Sequence, residues 1–373
     1  MKRLVILTDN FLPRKDGISR FLSEIIPRIK DSYDIHLICP DYGEIQGFKS
    51  IRITKIPLTK KTYGDFSPAK FKPGILFREI KKADIVFTQT IGPVGGLGLF
   101  IAKLLGEKTI SYVHSVEWEL FSKATTNKTV KQYAPSWTKR LVRFLYGSCK
   151  ELIVPSERIA DMLTWQGIAK QKTVIHLGVD TTKFKKRDNH QLRAKLGFEQ
   201  SDVVIGYHGR IAREKDIPTL LRAHIKLRKQ YSQVKLLIVG SGVSRLISQI
   251  KKQPGVVHVP AVDDVEHYLN AMDIYCLPSL TETTSLSTLE AMSSELPVVT
   301  TSVGFVRDYV KEGKNGYFFK TGDSYDLAQK LEPLITHKSR LRELGTRGRE
   351  LVIKNFDWDV TAERLINFFA ANT

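Results

Sequence analysis

The segment SLTETTSLSTLEAM (279–292) sets two carboxylates, Glu282 and Glu290, eight positions apart among serines and threonines. Carboxylates in such a setting serve acid–base work or ligand binding. They also serve helix ends. Ser287-x-x-Glu290 fits a capping box in which Glu290 reaches back to the backbone, leaving Glu282 as a loop carboxylate. Upstream, HGRIAREKD (208–216) offers Gly209, where backbone can approach a ligand, and two cations, Arg210 and Lys215, in a loop entering a helix. Free N–H groups at a helix start favour anions, so the set fits a diphosphate clamp. A solvated basic loop with Glu214 as partner accounts for the same residues. In YVHSVEWE (112–119), His114 stands at a strand's carboxyl end, followed by Glu117 and Glu119. An imidazole there can bind hydroxyls or move protons; a histidine satisfied at a domain interface is the alternative.

Glycine turns add weaker signals. DNFLPRKDGISRF (9–21) ends at Gly17 before a helix, where a substrate loop and an ordinary turn fit equally well. VGSGVSRL (239–246) and GPVGGLGLF (92–100) lack the full phosphate-binding fingerprint, and tight strand-to-helix turns explain both. DWD (357–359) matches an Asp-x-Asp metal–nucleotide pattern. It lies between a basic helix and an amphipathic one, so Asp357 or Asp359 is expected to cap a helix.

These residues need elements that hold them just beyond strand ends. Strand-like runs cover 3–9, 34–40, 50–56, 83–89, 108–114, 151–156 and 173–179, with helical patterns such as 18–29 and 97–106 between them. The rhythm restarts at 203–209, 235–241, 256–262, 273–279, 297–303 and 316–320. Apolar strands alternating with helices predict parallel sheets covered on both faces, and two series predict two doubly wound α/β domains. The join, TTKFKKRDNHQLRAK (181–195), is polar and basic. We place the domains at 1–183 and 184–355, with a final amphipathic helix over 356–373.

The chain of 373 residues is 42% hydrophobic, enough for two cores, and no stretch approaches the roughly 18 apolar residues of a membrane span. MKRLVILTDNFLP has too short an apolar run for a signal peptide and reads as a first strand. Cys39, Cys149 and Cys276 show neither metal-ligand spacing nor an even disulfide set, so a reducing cytoplasm is expected. The net charge of +19 is uneven: residues 1–183 hold 30 Lys and Arg against 17 Asp and Glu. Such a basic half suits a polyanionic partner, although a general solubility bias gives the same sign. Within it, 123–150 carries seven cations and no acid, with Trp137, Leu141, Phe144, Leu145 and Tyr146 on an apolar side. This is either a membrane-surface element or the helix before strand 151–156, its apolar side turned to core.

Taken in order, HLGVDTTKF (176–184), GRIAREK (209–215), LLIVGSG (236–242), CLPSLTETTSLSTLEAM (276–292), LPVVTT (296–301) and VGFVRDYVKEGKNGYFF (303–319), with the loop near Gly17, resemble retaining glycosyltransferases of family 4. The resemblance spans nearly the whole chain, and Glu282 and Glu290 form its E-x7-E pattern. It implies the GT-B fold: two Rossmann-like domains facing a cleft, with the terminal helix crossing back to the first. It implies a nucleotide-diphosphate-sugar donor, a UDP-sugar in the first instance, and no metal or other cofactor. Arg210 and Lys215 would hold the diphosphate near Gly209, Glu290 the ribose hydroxyls, and Glu282 the donor sugar. Backbone at Thr284, Ser285 and Leu286 would meet sugar and phosphate, His114 would face the sugar, and Gly17 would line the cleft near the phosphates. Fixed cations and helix N–H groups would stabilise the leaving diphosphate.

The sequence departs from the family at several points. Glu282-Thr283-Thr284-Ser285 stands for the usual Glu-Gly-Phe-Gly, Asp16-Gly17 for Gly-Gly, Ser294-Glu295 for a small residue with Gly, and Gly304-Phe305 for Gly-Gly, while Asp308 keeps an acid near the expected Glu. The basic first domain favours an acceptor at an anionic membrane, a glycerolipid or lipid-linked sugar, and a peripheral place at the inner face. The alternatives are a soluble acceptor, a nucleotide-sugar epimerase of the same fold, and a non-catalytic binding module. Nothing in the sequence reads nucleic-acid bases.

Overall fold

The computed structural model describes residues 1–14, 16–60, 67–114, 128–282 and 284–372, with backbone alone over 128–136. Lys15, Glu117, Glu119 and Thr283 lie outside the described residues. The chain forms two compact units, Met1–Leu177 with Trp358–Thr373, and Gly178–Asp357.

In the first unit β1 (Arg3–Leu7), β2 (Asp34–Pro40), β3 (Arg52–Ile56), β4 (Ile85–Thr88), β5 (Thr109–Tyr112), β6 (Glu151–Val154) and β7 (Lys172–Val174) form one sheet in the order β3-β2-β1-β4-β5-β6-β7. Every pairing is parallel. The central strands are apolar end to end because helices cover both faces. On one face Val5, Leu7, Ile38 and Val86 pack with Leu76 and Ile80 of the helix Pro73–Ile80 and with Ile101 and Ala102 of the helix Gly95–Leu105. On the other, the helix Gly17–Ile29 meets the terminal helix Trp358–Asn372. Phe369 lies edge-on to Phe87 at 5.0 Å and to Tyr33 at 5.7 Å. Arg28 joins Asp359 at 2.7 Å.

The second unit repeats the plan with β8 (Val203–His208), β9 (Val234–Val239), β10 (Val256–Val259), β11 (Ile274–Leu277), β12 (Val298–Thr301) and β13 (Gly316–Phe319), in the order β10-β9-β8-β11-β12-β13. All of these strands are again parallel. Strand order reverses between β1 and β4 in one unit and between β8 and β11 in the other. Those are the switch points beyond which such sheets bind ligands.

Three expectations shift. The units divide at Leu177–Gly178 rather than after Lys183, because Val179 and Phe184 pack into the second core. Likewise Phe356 is buried in that second core, so the returning segment starts at Trp358. The seventh strand ends at Val174 instead of running to 179. Beyond Ile175 the backbone turns away, and the hydroxyl of Thr361 holds the carbonyl of His176 at 3.0 Å.

Candidate active site

The β8–β11 switch point gathers most of the candidate residues. After β8 the chain passes through His208 and Gly209 (φ 139°), then makes a short 3-10 turn, Arg213–Lys215, ahead of the helix Ile217–Gln230. The glycines of VGSG give this loop its path. Ile211 N donates to Ser241 O at 2.9 Å, and Val243 N donates to Ile211 O at 2.8 Å. A Cβ on Gly240 would stand 1.9 Å from Gly209 O, and one on Gly242 2.0 Å from Ile211 O. The G-x-G therefore serves close backbone packing, not a phosphate cradle of its own.

Beyond β11, Leu280 N donates to Glu214 O at 2.8 Å and ties the two loops together. The ammonium of Lys215 then meets Glu282 Oε1, which also accepts from Ser279 Oγ at 2.6 Å. Both members of this ion pair are largely buried, so each carries charge in a setting of reduced dielectric. Arg210 differs: it is 71% exposed at the side chain and paired with Glu214 at 2.5 Å.

The helix Leu286–Ser293 begins at Ser285, which adopts the left-handed region (φ 55°) and makes no side-chain cap bond. Its hydroxyl instead meets Thr288 Oγ1 at 2.8 Å. Tyr309 donates to the carbonyls of Thr284 at 2.7 Å and Ser285 at 3.3 Å, fixing the backbone just after Glu282. Burial raises the Tyr309 phenol far above its ordinary range, with Glu282 adding to the shift, so it stays a donor. The hydroxyl of Thr284 is buried and makes no hydrogen bond.

Ser287 lies inside this helix, two positions past the cap residue, so Ser287 and Glu290 do not form a capping box. Glu290, 2% exposed, faces β8, and its Oε2 lies 3.1 Å from Nε2 of His208. The same nitrogen is 3.2 Å from Ser287 O, and Tyr275 donates to His208 O at 3.2 Å. His208 is a residue that sequence reasoning passed over. Its place directly before Gly209 at a strand's end was the available signal.

Two candidates lie in the first unit. Gly17 opens the helix Gly17–Ile29, whose end is capped by Asp16 through Ile18 N at 3.0 Å and Ser19 N at 2.8 Å. Nothing stands within 4 Å of a Cβ built on Gly17, so space does not require glycine there. His114 stacks on Tyr112 with ring centroids 4.3 Å apart and meets the edge of Phe21 at 5.0 Å. Its Nε2 lies 2.8 Å from Gln89 Oε1. Burial pushes its pKa down to about 3, so the ring is neutral near pH 7.

The GPVGGLG turn serves a carboxylate of the chain itself. Asp9 accepts from Thr90 Oγ1 at 2.6 Å, Val94 N at 2.8 Å and Gly95 N at 3.1 Å. A Cβ on Gly92 would stand 2.6 Å from its carboxyl carbon. The DWD aspartates are structural: Asp357 ends the helix Lys338–Phe356 and accepts from Thr181 Oγ1, while Asp359 pairs with Arg28. Among the described residues no three His, Cys, Asp or Glu side chains group as metal ligands. The helix Lys128–Ser148 splits its apolar residues. Leu145 and Tyr146 are core, whereas Trp137 (71%), Leu141 (51%) and Phe144 (46%) are exposed.

Two doubly wound parallel sheets in one chain are the architecture of the GT-B class. A family model described as Glycosyltransferase Family 4 matches residues 15–183, and one described as Glycosyl transferases group 1 matches residues 188–351. The chain belongs to the group 1 glycosyltransferases, which sets aside the epimerase and non-catalytic readings. Over 354 residues it is 27% identical to the capsular polysaccharide biosynthesis glycosyltransferase CapM of Staphylococcus aureus, covering 91% of this chain and 90% of that protein. It is 25% identical to the alpha-monoglucosyldiacylglycerol synthase of Streptococcus pneumoniae, over 95% of this chain and 83% of that protein. The crystal structure of Anabaena HepE in complex with UDP superimposes with a TM-score of 0.81 at 18% identity, covering 99% of this chain and all of that one.

Proposed function

We propose that this glycosyltransferase moves a sugar, with retention of its anomeric configuration, from a UDP-sugar to a lipid acceptor at an anionic membrane surface. The observation that carries the donor half is the Lys215–Glu282 pair beside the start of the helix Leu286–Ser293. In this reading Lys215, Arg210 and the free N–H groups at the start of that helix take the diphosphate. Glu290, steadied by His208, takes the ribose. Glu282 and the backbone from Thr284 to Leu286 take the sugar. As the anomeric C–O bond breaks, its electron pair leaves with UDP and the fixed cations stabilise that charge. The acceptor oxygen bonds to the anomeric carbon and its proton passes to the leaving diphosphate. No resident metal takes part. The same fold holds UDP in the HepE crystal, which supports the choice of nucleotide.

The acceptor half rests on the exposed stripe of Trp137, Leu141 and Phe144. Phe100 and Leu104 of the neighbouring helix extend it, and Lys103 lies 4.2 Å from the Phe144 ring centroid. Apolar side chains rimmed by cations suit the interface of an anionic bilayer. The pneumococcal relative's name, that of a synthase of a monoglucosyldiacylglycerol, supports the same reading. No helix among the described residues is long and apolar enough to cross a membrane, so attachment would be peripheral.

The test offers UDP-, GDP- and ADP-sugars, with and without chelator, to the enzyme with anionic vesicles containing diacylglycerol or with soluble sugars. We expect an α-linked glycolipid from a UDP-sugar, unaffected by chelator, and vesicle binding that weakens with salt. Transfer only to soluble sugars, with no vesicle binding at low salt, would remove the lipid half. An inverted product would remove the retaining mechanism.

A further inference from the structure

Gln89 follows β4 at the first unit's switch point and is 2% exposed. Its carbonyl oxygen lies 2.8 Å from Nε2 of His114, and its amide nitrogen is buried with no hydrogen-bond partner. A buried, unpaired donor costs about 1–3 kcal/mol, so natural proteins retain one where it has work. The backbone that carries this side chain is anchored on both sides. Gln89 N donates to Leu7 O at 2.9 Å, and the next residue, Thr90, is locked by Asp9. His114 is equally confined, stacked on Tyr112 and against Phe21.

We propose that Gln89 is a positioning residue of the first unit. Its Oε1 fixes His114 as the neutral Nε2–H tautomer, leaving Nδ1 as a lone-pair acceptor, and its amide N–H donates to a hydroxyl oxygen of the sugar substrate. The chemistry follows from the inventory of the two side chains. A neutral imidazole has one donor and one acceptor, and the bond made by one nitrogen decides the role of the other. Among the described residues the groups facing the ring are Gln89 just after β4, Tyr112 from β5 and Phe21 from the helix Gly17–Ile29. The Tyr112 phenol is held by Ile175 O at 2.7 Å, and burial keeps it protonated. Burial alone sets the low pKa of His114. The hydroxyl-reading part rests on the function proposed above; the tautomer lock does not.

The test is nitrogen NMR of the His114 ring in the full-length protein, together with transfer kinetics. Wild type should show Nε2–H and no titration between pH 5 and 8. Gln89→Leu should mix the tautomers and lower kcat/KM about 10- to 100-fold, as misplacing a contact group does. Gln89→Glu sets a carboxylate against Nε2–H and should lift the titration of His114 to between about pH 4 and 6. It keeps the lock but removes the amide N–H, so KM for the sugar substrate should rise; an unchanged KM for every sugar substrate would refute the hydroxyl contact. A wild-type ring protonated at Nδ1 would overturn the lock, as would a Gln89→Glu ring whose titration does not move. The Gln89→Glu arm stands if Gln89→Leu fails to fold. His114→Ala turning over at the wild-type rate would remove the sugar role of His114 while leaving the NMR result to judge the lock.

Discussion

At the β1–β4 switch point the chain supplies its own buried carboxyl, whose pKa burial raises; at the β8–β11 switch point it supplies cations. Strand order around the two points is the same, and a helix starts at each. In the first unit the carboxylate of Asp9 takes the N–H groups of Val94 and Gly95 at the start of the helix Gly95–Leu105. In the second, Ser285 makes no side-chain cap bond at the start of the helix Leu286–Ser293, and Lys215 and Arg210 sit in the loop alongside. A helix start attracts negative charge wherever it occurs. One unit satisfies that attraction internally and becomes scaffold, while in the other, on the function proposed above, it is left for a ligand phosphate.

Replacing the cations should break the second half of this comparison most severely. Lys215→Ala leaves Glu282 without its ion-pair partner and, on the function proposed above, removes the charge nearest the departing diphosphate. A fall in kcat of about 100- to 1000-fold is expected, typical of losing one fixed electrostatic stabiliser. Arg210→Ala, at an exposed and salt-screened position, should lose less. Steady-state transfer assays on both variants check the order, and equal losses would contradict the assignment by burial.

Asp9→Ala tests the first half. It strips three hydrogen bonds from a buried carboxylate and leaves two N–H groups facing a void, at a cost on the order of 3 kcal/mol. Chemical denaturation measures this. Sulfate should restore the variant more than wild type, because the emptied helix start can then bind an anion. Equal sulfate effects on both proteins would mean that the first switch point is not an anion cradle at all.

A histidine of lowered pKa in each unit makes the comparison sensitive to acid. Burial pushes the pKa of His114 down to about 3 and that of His224 down to about 4. Unfolded histidine binds its proton near pH 6.5, so between that pH and the folded values the unfolded chain holds more protons. Stability is therefore full above about pH 6.5 and is lost as pH falls toward 4. By pH 5 the loss approaches about 2 kcal/mol for a fully buried histidine. His224 has no exposed surface, whereas His114 is partly exposed, so the second unit should carry the larger share. Melting His224→Gln between pH 7.5 and 5 should give a flatter curve than wild type, and a parallel curve would assign the acid sensitivity elsewhere.

The sheets were legible because parallel strands buried on both faces are continuous apolar runs, and their alternation with helices survives small errors at the ends. Gly209, Arg210, Lys215, Glu282 and Glu290 were singled out by order and spacing, and the structure brings them together around the β8–β11 switch point. What escaped was contact made across the sheet. His208 against Glu290 joins residues 82 positions apart, and Asp9 against Val94 joins residues 85 apart. No local pattern announces either pair. The capping-box reading of Ser287 and Glu290 failed for a related reason: the helix starts at Leu286, so the cap falls on Ser285. Tertiary contacts, here the Tyr309 phenol on the carbonyls of Thr284 and Ser285, set that start.

Ser285 gives the smallest and most discriminating test. It holds φ 55°, a conformation that glycine adopts freely and a side chain adopts at a cost of about 1 kcal/mol. If the serine is only tolerated strain, Ser285→Gly should raise stability by about 1 kcal/mol with donor KM unchanged. Its hydroxyl, however, meets Thr288 Oγ1, and its carbonyl is held by Tyr309, so the turn is fixed from both sides. We therefore expect the stability gain to be accompanied by a higher KM for the donor, because glycine loosens the backbone that, on the function proposed above, presents the helix start to the phosphates. The same substitution logic fails at Gly240, where any side chain would strike Gly209 O, and Gly240→Ala should lose stability and transfer together. A Ser285→Gly enzyme with wild-type KM would show that the β8–β11 switch point needs its cations and not the rigidity of its turn.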